Sequence, residues 1–156
     1  MSGAISVSTT VAAPPADVYA LVAELGRMGE WSPEASGVRW VGGDTKPRPG
    51  ARFRGNNRHG VWRWRTTCTV VTADPGRELS WWSSLFGLPV ALWRYSFEPD
   101  GSGGTRLTES TQDLRGFLVR TLGPAGTGVG DRATRNRETM TVTLARIKAE
   151  LERTAH

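Results

Sequence analysis

Cysteine and histidine are scarce in this chain. Its 156 residues include one cysteine, Cys68, and two histidines, His59 and His156. One cysteine cannot form an internal disulfide, and Cys68 has no partner in a zinc-type motif. Two histidines cannot make a metal cluster alone, so we predict neither a metal nor a cofactor. A chain without disulfides is typical of a reducing compartment, and we therefore predict a cytoplasmic location.

Long apolar runs and lysine are also lacking. No run approaches the roughly 20 residues of a membrane-spanning helix, and the N-terminal MSGAISVSTT lacks the features of a signal peptide. The basic residues are 18 Arg and 2 Lys, and the formal net charge is +5. Arginine suits phosphate recognition, but the arginines are spread through the chain without a nucleic-acid motif. We predict no membrane span and no specific nucleic-acid partner, and the sequence leaves the oligomeric state open.

The chain does contain a long amphipathic pattern near its C-terminus. From about Thr127 to Leu151, a spacing of 100° per residue predicts a helix with one narrow apolar stripe. The stripe comprises Val129, Ala133, Asn136, Met140, Leu144, Ile147 and Leu151. Such a helix needs a broad surface to cover, and a sheet is its natural partner. Asn136 interrupts the stripe, and its amide would need hydrogen-bond partners from the sheet, a water or a ligand.

The preceding hundred residues mostly alternate apolar and polar side chains, as strands with one buried face do. We predict a strand over 4–12, a short helix ending at Gly26, a second short helix from Met28 to Trp31, and about six further strands separated by turns. One turn is placed at 56–60, and residues 115–126 are a linker, a short helix or a lid. The predicted fold class is α+β, with a curved antiparallel sheet of about seven strands around the long helix.

Several stretches resemble the START-like, or SRPBCC, superfamily, and they occur in its order. Residues 11–19 (VAAPPADVY) resemble its opening motif, and residues 27–33 (RMGEWSP) resemble its second short helix. Residues 74–79 (DPGREL) and 104–108 (GTRLT) also match. The resemblance covers essentially the whole chain, so residues 1–156 are expected to form one domain. The most similar branch is the polyketide cyclase/dehydrase and lipid-transport group. Its helix-grip fold implies an internal pocket for a hydrophobic or aromatic ligand, but does not imply an enzyme.

Aromatic side chains on neighbouring strands are the main candidates for ligand binding. They either pack as plain core or line a pocket and stack on a planar ligand, and both interpretations stay open. Polar neighbours could bind a carbonyl or carboxylate of that ligand. The predicted ligand-binding residues are Trp64, Trp81, Trp93, Arg94, Tyr95, Glu109, Asn136 and Met140.

Glu109 is the candidate catalytic residue. Leu107, Glu109 and Thr111 share one strand face, so Glu109 points inward if Leu107 does. A carboxyl group removed from water has a raised pKa and can act as acid, base or ligand anchor. The alternative is that this face is solvated, or that Glu109 pairs with an arginine such as Arg94.

Three hypotheses about function follow. The first is binding of a small hydrophobic or aromatic molecule, such as a lipid or a polyketide-like compound, between the sheet and the final helix. The second is a polyketide aromatase/cyclase, in which Glu109, Tyr95 or Arg94 assists enolisation and loss of water; the absence of a clear acid–base pair counts against it. The third is a protein-interaction module that uses the basic outer face of the fold. A hydrolase is not predicted, because the Gly-x-Ser-x-Gly motif is absent.

Overall fold

A computed structural model of the chain describes residues 4–114 and 132–154. The strands are β1 (Ala4–Val11), β2 (Ala35–Val41), β3 (Arg52–His59), β4 (Trp62–Asp74), β5 (Glu78–Leu85), β6 (Leu88–Pro99) and β7 (Thr105–Asp113). The helices are α1 (Pro15–Val22), a short 3₁₀ turn (Leu25–Arg27), α2 (Met28–Trp31) and α3 (Arg132–Thr154). The predicted order of one strand, two short helices, six strands and one long helix is confirmed.

The strands form one antiparallel sheet in the order β1-β7-β6-β5-β4-β3-β2. Each strand from β2 to β6 pairs with the next one along the chain, and β1 pairs with β7 at the edge. The β3–β4 and β5–β6 turns, residues 60–61 and 86–87, lie at one end of the sheet, which we call the tip end. The β4–β5 and β6–β7 turns lie at the other end, which we call the base end.

Three extra residues bend the sheet. The register between paired strands skips Ser36 in β2, Val71 in β4 and Val90 in β6. An extra residue bends its strand and increases the local twist. The sheet therefore curves around α3, as predicted for a helix-grip fold.

Polar contacts at both ends of α3 hold it against the sheet and the short helices. Towards the base end, the Nζ of Lys148 donates a hydrogen bond to the carbonyl oxygen of Thr10 at 2.6 Å. Towards the tip end, the Nε of Arg135 donates to the Oε2 of Glu34, just before β2, at 3.0 Å. The helix thus runs along the concave face of the sheet from the tip end to the base end.

The part of the apolar core that includes α1 lies near the base end. Pro15 suits the first turn of α1, because its fixed φ matches a helix and its missing N–H would be unpaired there anyway. The helix packs its apolar side onto residues from the sheet and from α3. This part of the core comprises Val11, Val18, Val22, Leu25, Leu79, Phe97, Leu107, Leu144 and Ile147.

The turn predicted at 56–60 is wrong. Strand β3 continues to His59, and only Gly60 and Val61 separate it from β4. Asn56 stays in the strand because its outward side chain accepts a hydrogen bond from the Nε of Arg65, at 3.3 Å, on the neighbouring strand. The hairpin is therefore longer than its composition predicted, and a polar cross-strand pair stabilises the added part.

The predicted ends of two helices also differ from the structure. Helix α1 ends at Val22 rather than Gly26, because the next residues tighten into the 3₁₀ turn that contains Gly26. Helix α3 continues past Leu151 to Thr154, since none of residues 152–154 is a glycine or a proline. Its predicted start at Thr127, and the linker or lid predicted over 115–126, lie outside the described residues.

Candidate functional site

The side chains on the concave face divide into two groups along the strands. Towards the base end they are apolar: Val11, Leu79, Phe97 and Leu107, which we call the apolar half. Towards the tip end they carry hydroxyl, thiol and carboxyl groups: Thr66, Cys68, Ser83, Glu109 and Thr111, which we call the polar half. Both halves are inaccessible to solvent at most positions. The polar half is unusual because buried positions are normally apolar.

Glu109 lies where the two halves meet. It follows Leu107 on the inner face of β7, opposite Tyr95 on β6 and Val7 on β1. Only 5% of Glu109 is exposed, and among the described residues its Oε1 has no hydrogen-bond partner. Burial raises the pKa of Glu109 to about 8, and the nearby Tyr95 hydroxyl opposes part of that rise. At neutral pH the carboxyl group is therefore mostly protonated and can donate a hydrogen bond.

Thr111 adds a second unpaired polar atom. It follows Glu109 on the same face of β7, about 7 Å further along the strand, and it lies opposite Trp93. The side chain is buried, and within the part of the chain that the structure describes its Oγ1 has no hydrogen-bond partner. Leaving a buried polar group unpaired costs about 1–3 kcal/mol. Glu109 and Thr111 are therefore candidates for binding a polar atom of a ligand.

The remaining polar groups of this half are already paired. The Sγ of Cys68 lies 3.5 Å from the Oγ of Ser83, and the Oγ1 of Thr66 lies 3.8 Å from the same sulfur. Burial raises the pKa of the Cys68 thiol. A protonated, enclosed thiol is a poor nucleophile, so Cys68 is a packing residue here.

Aromatic rings extend across the concave face beside the polar half. Trp81 packs against Phe53 with ring centroids 5.7 Å apart, and against Tyr95 at 5.8 Å. Trp40 continues the row, 5.6 Å from Phe53. Burial, together with the Glu109 carboxyl group, raises the pKa of the Tyr95 hydroxyl. The ring pairs Trp40–Phe53 and Phe53–Trp81 meet edge to face, at 69° and 72°, and Trp81 is tilted by 31° from Tyr95. The result is a row of packed aromatic rings next to two unpaired polar atoms.

The structure brings together four of the predicted ligand-binding residues. Trp81, Trp93, Tyr95 and Glu109 lie on the adjacent strands β5, β6 and β7 with their side chains on the concave face. Two others are on α3, where Met140 is fully buried and Asn136 is half-buried. Trp64 faces the same side as Cys68 but lies further towards the tip end, half-buried.

Arg94 does not belong to this group. It stands between Trp93 and Tyr95 in β6, so its side chain points to the convex face, where its Nε lies 3.5 Å from the Oε2 of Glu78. The predicted alternative in which Arg94 pairs with Glu109 is wrong, because the two side chains are on opposite faces of the sheet. The alternative of a solvated face is also wrong, because Glu109 is buried.

Sequence reasoning did not select Thr111 or Ser83 as site residues. A signal was available, since Thr111 shares the strand face of Glu109 and Ser83 alternates with Trp81 on β5. The sequence does not reveal which hydroxyl has a hydrogen-bond partner. In the part of the chain that the structure describes, the Ser83 hydroxyl has one and the Thr111 hydroxyl has none.

Other classes of site receive no support from the described residues. In residues 4–114 and 132–154, no three His, Cys, Asp or Glu side chains come close enough to hold a metal ion. No helix in those ranges has a stretch that is both long and apolar enough to cross a membrane. A groove of about 720 Å³ is present at the base end, lined by Asp74, Arg77 and Glu98 among others, but it is open and does not include Glu109.

The curved sheet and long helix define a helix-grip protein, and solved structures share this fold. The Zhui aromatase/cyclase from Streptomyces sp. R1128 superposes with a TM-score of 0.76 at 15% identity, over 100% of this chain and 97% of that one. A ginseng major latex-like protein from Panax ginseng gives a TM-score of 0.70 at 13% identity, over 96% and 97%. At these identities the likeness concerns the fold alone.

The chain belongs to the family described as polyketide cyclase / dehydrase and lipid transport, which matches residues 2–152. A polyketide cyclase-like protein from Corynebacterium glutamicum is 32% identical over 97% of this chain and 93% of its own, with a TM-score of 0.62. None of the functionally curated proteins matches the sequence. The family resemblance predicted from the sequence is thereby confirmed.

Proposed function

We propose that this protein binds a neutral, planar and largely apolar molecule that carries a carbonyl or hydroxyl group. The observation that carries the proposal is the pair of buried, unpaired atoms Glu109 Oε1 and Thr111 Oγ1 on the concave face. Ligand sites are typically apolar cavities with a few polar groups that fix orientation. The aromatic side chains of Trp81, Trp93 and Tyr95 on the concave face are suited to the apolar part of such a ligand.

The charge of the concave face favours a neutral ligand. Protonated Glu109 can donate a hydrogen bond to a carbonyl oxygen, and Thr111 can either donate or accept. The described residues place no lysine or arginine on the concave face of the sheet, since the strand arginines are on the other side. A carboxylate ligand would therefore lose its water without gaining a cation, which costs several kcal/mol. Ring ketones and phenols therefore suit the site better than fatty acids.

Calorimetric titration with three matched ligands tests the proposal: naphthalene, acetylnaphthalene and naphthoate. We expect acetylnaphthalene to bind about tenfold or more tightly than naphthalene, because a hydrogen bond to an otherwise unpaired buried group contributes about 1–3 kcal/mol. Naphthoate should bind most weakly. Equal affinities for the ketone and the hydrocarbon, or no binding of either, would contradict the proposal.

Two substitutions at Glu109 sharpen the test. Glu109→Gln keeps a neutral hydrogen-bond donor and should retain the ketone's affinity at pH 7. Glu109→Leu removes the donor and should lower that affinity to the level of naphthalene. If both variants bind the ketone like the unmodified protein, Glu109 does not contact the ligand.

Aromatase/cyclase activity is a second candidate, supported by the position of Glu109 beside Tyr95. A carboxyl group with a pKa of about 8 can take an α-proton from a ketone as the carboxylate and later return it, as the neutral acid, to a leaving hydroxyl group. Tyr95, opposite Glu109 on β6, would donate a hydrogen bond to the enolate oxygen. This mechanism needs no metal or cofactor at the described residues.

Exchange of the acetyl protons of acetylnaphthalene with deuterated water tests this second function. Catalysis predicts faster exchange with the unmodified protein and loss of that acceleration in Glu109→Gln, while binding is kept. Exchange at the uncatalysed rate, with binding intact, would leave the protein as a carrier or sensor of its ligand.

A further inference from the structure

The convex face of the sheet carries a dense group of arginines. Strands β2, β3 and β4 alternate inward and outward side chains, and the outward positions are repeatedly arginine. The group, which we call the arginine face, comprises Arg39, Arg52, Arg54, Arg58, Arg63 and Arg65, all exposed. Its six charges exceed the formal net charge of the whole chain, +5. Arginines that are spread along the sequence therefore lie together on the convex face of the folded sheet.

Acidic residues are nearly absent from the strands that carry these charges, since in β2, β3 and β4 only Asp74, the last residue of β4, is acidic. Residues 35–43 and 51–73 contain no Asp or Glu, and among the described residues none of the six arginines makes an ion pair. Arg39 lies directly opposite Arg54, and Arg58 directly opposite Arg63. Like charges directly opposite one another on neighbouring strands destabilise a sheet, so this face opposes folding and is suited to an anionic partner.

The tip end adds two strongly exposed apolar side chains. Val61, in the β3–β4 turn, is 91% exposed, and Phe86, in the β5–β6 turn, is 95% exposed. Phe86 has a φ of 53° and Gly87 a φ of 77°. A two-residue turn with two positive φ angles favours Asn-Gly, and a bulky side chain is disfavoured at its first position. Phe86 is therefore exposed at a turn position whose backbone conformation is unfavourable for a bulky residue.

We propose that the tip end and the arginine face dock together onto a membrane that contains anionic lipids. Val61 and Phe86 enter the interface, and Arg58 and Arg63 bind lipid phosphates. At about 3.3 Å per strand residue, Arg63 lies roughly 7 Å from Val61 along β4. Apolar groups of interfacial proteins reach about 5–10 Å into the boundary between headgroups and acyl chains, so the arginines lie at the depth of the phosphates.

The exposed side chains of Val61 and Phe86 favour an anionic membrane over a nucleic acid as the partner. A nucleic acid would satisfy the arginines, but an exposed valine at the end of a projecting hairpin contributes little to binding phosphates or base edges. A membrane uses both features, because stable attachment takes an apolar and an electrostatic contribution together. This inference concerns the convex face and the tip end, so it is independent of the ligand proposed for the concave face.

Vesicle flotation tests the proposal with the whole chain. We expect flotation with phosphatidylcholine vesicles that contain phosphatidylglycerol, no flotation with phosphatidylcholine alone, and release by added salt. The double variant Arg58→Ser/Arg63→Ser should lower the affinity at least tenfold. The matched control Arg77→Ser/Arg106→Ser removes the same charge from exposed positions at the base end and should keep most of the binding. Equal loss in both double variants would overturn the proposed site.

Phe86→Asn separates docking from folding, because Asn suits the turn better than Phe. We expect this variant to fold at least as stably and to bind the anionic vesicles several-fold more weakly. Unchanged vesicle binding would overturn the role of the tip. Tighter binding to a single-stranded oligonucleotide than to vesicles, unaffected by Phe86→Asn, would assign the arginine face to nucleic acid instead. A dimer that Phe86→Asn dissociates, without vesicle binding, would make the tip a contact between two copies.

Discussion

The two halves of the concave face are built from the same strands and are similarly buried, yet they differ in chemistry. In β7, Leu107 is packed among apolar neighbours, whereas Glu109 and Thr111 each keep an unpaired polar atom. The apolar half contributes stability by removing apolar area from water. The polar half costs stability, and in the proposed function its unpaired atoms would form hydrogen bonds to the ligand. Burial alone does not distinguish core from site, but the pairing of buried polar atoms does.

The largest expected effect is the pH dependence that Glu109 gives to stability. Its pKa is about 8 in the folded chain against an ordinary value of 4.5, so the folded state holds an extra proton between those values. The free energy of unfolding should therefore fall as pH rises from 4.5 to 8, by at most about 5 kcal/mol. Tyr95 is the titratable group opposite Glu109 on β6, and Val7 faces it from β1.

Urea denaturation across this pH range provides the measurement, with Glu109→Gln as the control. The variant cannot ionise at this position, so this part of the pH dependence should be absent. If the two proteins show the same slope between pH 5 and 8, the carboxyl group is not buried as described.

Truncation in the apolar half gives the next largest effect. Leu107→Ala should lower the free energy of unfolding by about 3 kcal/mol, because it leaves a cavity in a packed core. Thr108→Ala, one residue later and facing the other way, is the control. It removes an exposed hydrogen bond to the Ser8 hydroxyl and should lower the free energy of unfolding by no more than about 1 kcal/mol. Similar losses in the two variants would mean that the alternation of β7 does not separate core from surface.

Substitution in the polar half should have the opposite sign. Thr111→Val replaces an unpaired buried hydroxyl with a methyl group of nearly the same shape, and should raise the stability of the ligand-free protein by about 1 kcal/mol. The same change should weaken binding of acetylnaphthalene. A Thr111→Val variant that is clearly less stable without ligand would show that the hydroxyl is already paired.

The smallest expected change in stability comes from removing a hydroxyl of the polar half that is already hydrogen-bonded. Ser83→Ala removes a partner of Cys68 and should lower the free energy of unfolding by about 0.5–1 kcal/mol, with little change in ligand affinity. Thermal denaturation of this variant beside Thr111→Val measures the contrast directly. The prediction fails if both changes shift the melting temperature in the same direction.

Much of the fold was predictable because its signals are periodic. Alternation placed Glu109 on the same face as Leu107, and the helical stripe placed Met140 with Leu144. The same alternation should have excluded Arg94, since neighbours in a strand cannot both face inward and Tyr95 does. The unpaired state of Thr111 was not predictable, because it depends on distances between strands that are remote in sequence. The gathering of the arginines likewise depends on which strands pair.

The alternation of residues 62–70 in β4 also constrains how the β3–β4 hairpin can pair. A slip of one residue against β3 would turn Arg63 and Arg65 towards the apolar interior and expose Trp64 and Cys68 to water. Misaligned pairings of this hairpin are therefore disfavoured once its inner face is buried. The arginines repel one another in the folded sheet. They also favour the correct register of β3 and β4, because a slip of one residue would take their side chains out of water.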